Sequence, residues 1–344
     1  MGGSRGGTVA VFAASRAYFE VGGGEVGLRL RGAAWAALMV LAAAPLAAAT
    51  TVTDDTGQRV TLPHQPAHII SLAPGATEML FAAGVGDRLV ATVDFSDEPA
   101  AAKRVPRIGD VTAIDMERLV ALRPDVVVVW PGGGNPAQIE KIAQLGIPIY
   151  RQQVNRLADL PASLRRLGAL SSDGSVAERA AATLAAELAR IAREYGGGVG
   201  AAGAQAAGTK ATEVPAAGAS LTVLLEVWNR PIYTVGGTHL MSDALTLCGV
   251  RNVFGDLREL GPIIDTEAVI ARNPDIIVAA PPPGEGTSWL AEWRRFGSLK
   301  AVKTGRLVAF EDQRLSRLGP SVVPATEALC KALAASARLS RENY

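Results

Sequence analysis

Two glutamates, and a set of aromatic side chains beside glycines, are the residues of this chain whose types and spacing could do chemistry. Glu117 and Glu267 occupy the same offset in two copies of one pattern. The first reads Asp115-Met-Glu-Arg-Leu-Val-Ala-Leu-Arg-Pro-Asp-Val-Val-Val128, the second Asp265-Thr-Glu-Ala-Val-Ile-Ala-Arg-Asn-Pro-Asp-Ile-Ile-Val278. One exposed carboxylate on each side of a cleft would suit a two-fold symmetric partner bearing two basic sites. The plainer reading is a favourable charge near a helix start, worth under about 1 kcal/mol. The second set comprises Phe95, Trp130 with Gly132 and Gly133, Tyr233 before its own glycines, and the stretch from Asp312 to Arg317. Aromatics beside glycines make a flat surface of close approach, suited to a large planar ligand. Taken singly, each aromatic could equally be ordinary packing.

Catalytic constellations are missing. The chain has no G-x-S-x-G, Walker loop, H-E-x-x-H or dinucleotide fingerprint. Its three histidines, His64, His68 and His239, are too few for a metal-transport site, and His239 reads as a helix-start residue. No catalytic residue, bound metal or resident cofactor is expected.

The elements that must position these residues follow from the repeated pattern. In each copy an aspartate can cap a helix by accepting its free first-turn N–H groups. The glutamate two residues later suits the positive end of the helix dipole. The helix stops ahead of a proline, whose predecessor is biased away from helical angles. An all-apolar run then reads as a strand buried on both faces of a parallel sheet. Two distant copies predict an α/β fold of two similar lobes with mostly parallel central sheets. The N-terminal lobe spans 50–152, opening with a hairpin over Thr51–Thr61, and the C-terminal lobe spans 221–344. Linking helices occupy 153–195, the second a long helix from 175 to 195 with capping-box spacing between Ser175 and Glu178. Its apolar face is read as Val176, Ala180, Leu184, Leu188, Ile191 and Tyr195. The Ala/Gly-rich stretch 196–220 has too few large apolar groups to pack and is read as a mobile surface insert. In such folds ligands sit beyond the carboxyl ends of strands, where the aromatic loops fall.

Residues 1–49 are read as a leader: Arg29 and Arg31, an apolar stretch over 33–44, and small residues at Ala47-Ala48-Ala49. No cysteine lies near that point, so a lipid anchor is not expected. The formal net charge of the 344 residues is +1, which gives no case for nucleic-acid binding. The two cysteines, Cys248 and Cys330, fall in the exported part and are expected to bridge, two buried thiols being the alternative.

The chain resembles the substrate-binding proteins of ABC importers whose two lobes are joined by one long helix, the cobalamin-binding members most of all. The resemblance is carried by Ile69-Ile70-Ser71-Leu72-Ala73-Pro74 with Thr77-Glu78, by Phe95-Ser96-Asp97 with Pro99, and by Met116-Glu117-Arg118. Trp130 with Gly132, Gly133 and Asn135, Cys248-Gly249 with Asn252-Val253-Phe254, and Leu329-Cys330 complete it. It implies a periplasmic, monomeric carrier of cobalamin with no enzymatic activity. It also implies that Glu117 and Glu267 dock onto permease arginines, and that Trp130, Tyr233, the Phe95 loop and Arg317 line the corrinoid site. The cysteines coincide with that family's disulfide positions. Val111 and Gly261 stand where those proteins carry tryptophans, and Phe95 where they carry a tyrosine. Sister groups carry haem, for which Tyr233, Tyr150 or His239 would be axial ligands, or ferric siderophores, for which Arg230, Arg314 and Arg317 would serve. A bilobal chelatase-like enzyme is the reading from another class, and the export signal and scarcity of histidine count against it.

Overall fold

The computed structural model describes residues 49–197, 220–282 and 284–339. The leader up to residue 48, and nearly all of the Ala/Gly-rich stretch, lie outside the described residues. The described chain opens with an antiparallel hairpin, β1 (Thr50–Thr53) and β2 (Arg59–Leu62). Asp54 closes its turn by accepting from the Thr56 N–H, the Thr56 hydroxyl and the Gln58 N–H.

Two parallel sheets follow. The first is built from β3 (Ile69–Ser71), β4 (Leu89–Ala91), β5 (Val126–Val129) and β6 (Ile149–Arg151), with α1 (Pro74–Ala82), α2 (Met116–Ala121) and α3 (Pro136–Gln144) between them. After α4 (Leu160–Gly168) and α5 (Ser175–Tyr195), β7 (Thr222–Glu226) starts the second half. There β8 (Ile232–Tyr233), α6 (Leu240–Leu247), β9 (Arg251–Asn252), β10 (Ile263–Ile264) and α7 (Thr266–Arg272) precede β11 (Ile276–Ala279). The last elements are α8 (Gly286–Trp293), α9 (Lys300–Lys303), β12 (Leu307–Ala309) and α10 (Val322–Leu339). The strand orders are β4-β3-β5-β6 and β9-β7-β11-β12, parallel throughout. Each sheet sets its first long strand between the next strand on one side and the repeat's strand on the other, so both lobes share one winding.

The repeated pattern is one structural unit used twice. Asp115 accepts from the Arg118 N–H at 2.9 Å and Asp265 from the Ala268 N–H at 2.7 Å. Ahead of each proline, Arg123 and Asn273 take φ of 46° and 47°, so the chain leaves both helices through the left-handed region. The expectation was only that these positions would be non-helical; the left-handed exit is a terminator in its own right. Asp125 then accepts from the Ala67 and His68 N–H groups, and Asp275 from the Thr222 N–H and hydroxyl. The Pro-Asp pair thus pins the repeat's strand to the first strand of its sheet.

Both β5 and β11 are fully buried, as their all-apolar runs predict. Val126 and Val128, with Ile276 and Val278, face a core shared by both lobes, α5 and α10. Val127 and Val129 face a core private to the first lobe, and Ile277 and Ala279 one private to the second. Period-two alternation thereby assigns each lobe half to itself and half to the joint.

The long helix spans Ser175–Tyr195, as read, but its buried stripe begins at Ala177 and Ala181. Val176 is 39% exposed. The small alanines face inward because α4 approaches closely there: a Cβ on Gly168 would come within 2.5 Å of the Ala177 Cβ. The capping box is not formed either. Ser175 is already inside the helix, Asp173 accepts from its N–H at 2.8 Å, and Glu178 pairs instead with Arg165 of α4. At the far end Arg190 binds Glu327 of α10, which Lys331 also contacts, and together they hold that carboxylate down at about 2. Cys248, at the end of α6, is bonded to Cys330 of α10. Among the described residues no helix is long and apolar enough to cross a membrane.

The bridge closes a separation of 82 residues. Cys248→Ala with Cys330→Ala is expected to lower unfolding stability by roughly 2–4 kcal/mol in urea titration. Mass spectrometry after alkylation of the native, unreduced protein should find no modified thiol; two modified thiols would contradict the pairing.

Candidate functional site

The carboxyl ends of both sheets face one another across a cleft. A cavity of about 820 Å³ occupies it, walled by residues that follow β3 (Ala73 to Ala76), β4 (Asp94, Phe95, Asp97), β5 (Trp130) and β6 (Gln152). The opposite wall comes from Pro282 after β11 and from Gln313, Ser316, Arg317 and Leu318 after β12. This is where strands of a doubly wound sheet leave a crevice.

The floor of the cleft is held by a close approach of the two lobes. A Cβ on Gly75 would lie 2.6 Å from the Leu318 backbone, and one on Gly319 would lie 2.8 Å from Glu78 Oε2. Glycine at both positions lets α1 and the segment before α10 touch backbone to backbone. Glu78, buried in α1, accepts from the Ser321 N–H at 3.0 Å, and Arg317 stands 3.7 Å from its other oxygen. Burial pushes the Glu78 carboxyl above its usual range, against those two contacts. Arg317 also reaches Asp97 at 3.5 Å, and Asp97 meets Arg107 at 3.7 Å. An ionic chain therefore runs from one lobe to the other beneath the cavity and fixes the loop that carries Phe95.

Phe95 is 75% exposed and takes φ 62°, a left-handed backbone rarely found for a bulky residue. An aromatic ring held out into a cleft on such a backbone is an outlier of the kind found at ligand sites. Trp130 lies against Gly132 and Gly133, whose Cβ atoms, if present, would strike the indole. Neither glycine is among the residues that wall the main cavity: Gly132 lines a neighbouring pocket of about 180 Å³, and both line a third pocket. Phe95, Trp130 and Arg317 are thus brought together in one cavity wall. Tyr233 and Asp312 do not line it. The Tyr233 backbone pairs with Ile263 of β10 and bridges to Trp228. Asp312 turns back to accept from the Arg314 N–H and guanidinium. Glu117 and Glu267 are both exposed, in the first turns of α2 and α7.

A family profile described as periplasmic binding protein matches residues 69–313. The chain belongs to the periplasmic binding protein family. It is 32% identical over 270 residues to a vitamin B12-binding protein of Pectobacterium carotovorum, a match covering 78% of this chain and 89% of that one. A vitamin B12-binding protein of Vibrio parahaemolyticus is 28% identical over 79% of this chain and 91% of its own length. Among solved structures, the periplasmic vitamin B12 binding protein of Vibrio cholerae superposes with a TM-score of 0.68 at 28% identity, covering 80% of this chain and 99% of that one. A periplasmic heme-binding protein of Roseiflexus sp. RS-1 shares the fold, with a TM-score of 0.63 at 22% identity over 78% of this chain and 98% of that one. The family and these relatives are binding proteins, not enzymes.

Three residues of this periplasmic binding protein escaped the sequence reading. Gln152 is fully buried in the cavity wall with neither amide atom hydrogen-bonded. Trp228, just beyond β7, is 50% exposed, stands edge-on to Trp289 at 6.2 Å and donates its indole N–H to the Arg230 carbonyl. Like Trp130 it lies just past the carboxyl end of a buried strand, which is the signal that could have found it. Glu226, the last residue of β7, accepts from the Trp293 indole at 2.7 Å, while its Oε1 is buried and unpartnered.

Burial pushes the Glu226 carboxyl up to about 7, the Trp293 hydrogen bond opposing and Glu292 assisting. The folded state then binds the proton more tightly than the unfolded chain, so stability is fully present below the unfolded value and falls as pH rises through about 7. Glu226→Gln removes that loss. Thermal unfolding at pH 5 and pH 8 should show the wild type losing up to about 3 kcal/mol more than the variant; equal losses would contradict the protonated carboxyl.

Proposed function

We propose that this protein captures cobalamin between its lobes in the periplasm and delivers it, as a monomer, to the permease of an ABC importer. The observation that carries the reading is the cavity itself: an apolar interlobe space of about 820 Å³, with Phe95 and Trp130 in one wall. Its floor is fixed by glycine contacts, so it is formed before any ligand arrives. The relatives named vitamin B12-binding protein support the same ligand, and a cleft lined by rings suits a flat corrinoid.

The haem alternative finds less support in the site. Tyr150 is wholly buried beside Asp55, and burial, with that carboxylate second, pushes its phenol far up. The His239 ring is committed through Nδ1 to capping α6, and Tyr233 stands outside the cavity. None is placed to be an axial ligand. The siderophore alternative asks for free arginines, yet Arg230 pairs with Glu292, Arg314 with Asp312, and Arg317 with Glu78 and Asp97.

Glu117 and Glu267 are read as the two carboxylates that meet permease arginines. Beside them Val120 and Ile270 lie one turn on, also exposed, at matching offsets. Such a paired surface fits a partner related by a two-fold axis.

Aquocobalamin, hemin and a ferric siderophore, each titrated into the mature protein with tryptophan fluorescence and visible spectra, separate the ligands. Tight binding of aquocobalamin is expected. Hemin binding with an axial-ligand spectrum, and no aquocobalamin binding, would overturn the choice. Glu117→Lys with Glu267→Lys should abolish uptake of labelled cobalamin in cells while leaving its affinity in solution unchanged. Normal uptake by the double variant would reduce the glutamates to helix-end charges.

A further inference from the structure

Trp130 and Leu318 line two cavities at once. On one side lies the main cavity; on the other lies the pocket of about 180 Å³, walled also by Gln153, Asn155, Thr238 and His239. This smaller pocket is interlobe as well, and its polar groups are all neutral.

His239 Nδ1 accepts from the Met241 N–H at 3.1 Å, so the neutral ring must carry its proton on Nε2. Burial pushes this imidazole down to about 4, which keeps it neutral across ordinary pH. Among the described residues no hydrogen-bond partner faces Nε2. The result is a fixed N–H donor in the wall of the pocket, and a nitrogen that cannot ligate a metal without losing the cap.

Gln152 makes the same statement from the other side of Trp130. Gln152 is one of the residues that wall the main cavity, and its amide donor and acceptor are both buried and unpaired, a costly state for a buried polar group. The charged groups around that cavity are mostly acidic. Asp94 and Asp110 line it with Asp97, and Arg317, the one basic side chain in the wall among the described residues, is flanked by Glu78 and Asp97. Hydrogen bonds from the Thr112 hydroxyl and N–H, and from the Ala113 N–H, hold Asp110 below the usual carboxylate range.

We propose that the cleft selects carboxamide over carboxylate arms on its tetrapyrrole-like ligand: Trp130 divides the ring site from a side pocket, His239 donates to an amide carbonyl there, and Gln152 pairs with a second amide on the ring side. A carboxamide offers both a donor and an acceptor to these neutral groups. A carboxylate offers acceptors only and meets the field of Asp94 and Asp110. This inference rests on the cobalamin reading, since the periphery of a corrinoid bears amides where haem bears propionates.

The experiment uses the mature protein with cyanocobalamin and with its monocarboxylic acids, in each of which one peripheral amide has been hydrolysed. Wild type is expected to bind at least one of the monoacids about 10-fold more weakly than cyanocobalamin, a ratio equal to ~1.4 kcal/mol. His239→Ser keeps a capping oxygen and loses the donor, so cyanocobalamin should bind it about 10-fold more weakly while its thermal unfolding stays near wild type. Gln152→Leu should unfold at higher temperature than wild type when free, yet bind more weakly. Monoacids bound as tightly as cyanocobalamin, or both variants binding like wild type, would overturn the subsite while leaving the carrier reading in place. Hemin binding without any cyanocobalamin binding by wild type would overturn both.

Discussion

The lobes meet at a backbone contact that admits no side chain. Gly75 and Gly319 let α1 of one lobe rest on the Leu318 segment of the other, with Glu78 sealed between them. Everything that defines the cleft follows from this meeting: the depth of the cavity, the reach of Arg317 to Asp97, and the direction in which Phe95 is held. The shared core behind it, threaded by α5 and α10 and tied by the bridge between Cys248 and Cys330, resists hinge bending because close-packed interiors deform poorly.

Each lobe uses one rule of assembly. Asp caps a helix, a left-handed residue ends it, Pro-Asp locks the next strand, and that strand divides its side chains between two cores. Because the rule is repeated, the two helices bearing Glu117 and Glu267 occupy equivalent places in their lobes. Paired carboxylates on equivalent helices are a consequence of duplication, available for recruitment by a two-fold partner.

Much of this was legible from local chemistry. Capping aspartates, buried apolar strands and the extent of the long helix depend on a few neighbouring residues, and these matched. His239 as a helix cap was legible for the same reason, and the pairing of two cysteines follows from their number and compartment. What was not legible depends on partners distant in sequence. The stripe of α5 slid to Ala177 and Ala181 because Gly168 leaves room for them, and Glu178 left its expected cap for Arg165 of another helix. Asp312 has the right residue type in the right region, yet a local arginine claims it, and Tyr233 lies outside the residues that wall the cavity. Gln152 and Glu226 went unread because a polar residue at a strand end carries no local sign of what it will pack against.

The account comes down to a preformed cleft between two lobes whose acidic helices keep a fixed separation. Spin labels at Val120→Cys and Ile270→Cys, exposed positions on those helices, report that separation by pulsed electron paramagnetic resonance. A single narrow distance distribution that moves by no more than about 1 Å when aquocobalamin is added is the expected result, within the small backbone change typical of pre-organised sites. A broad distribution in the free protein, or a large shift on binding, would contradict the fixed frame.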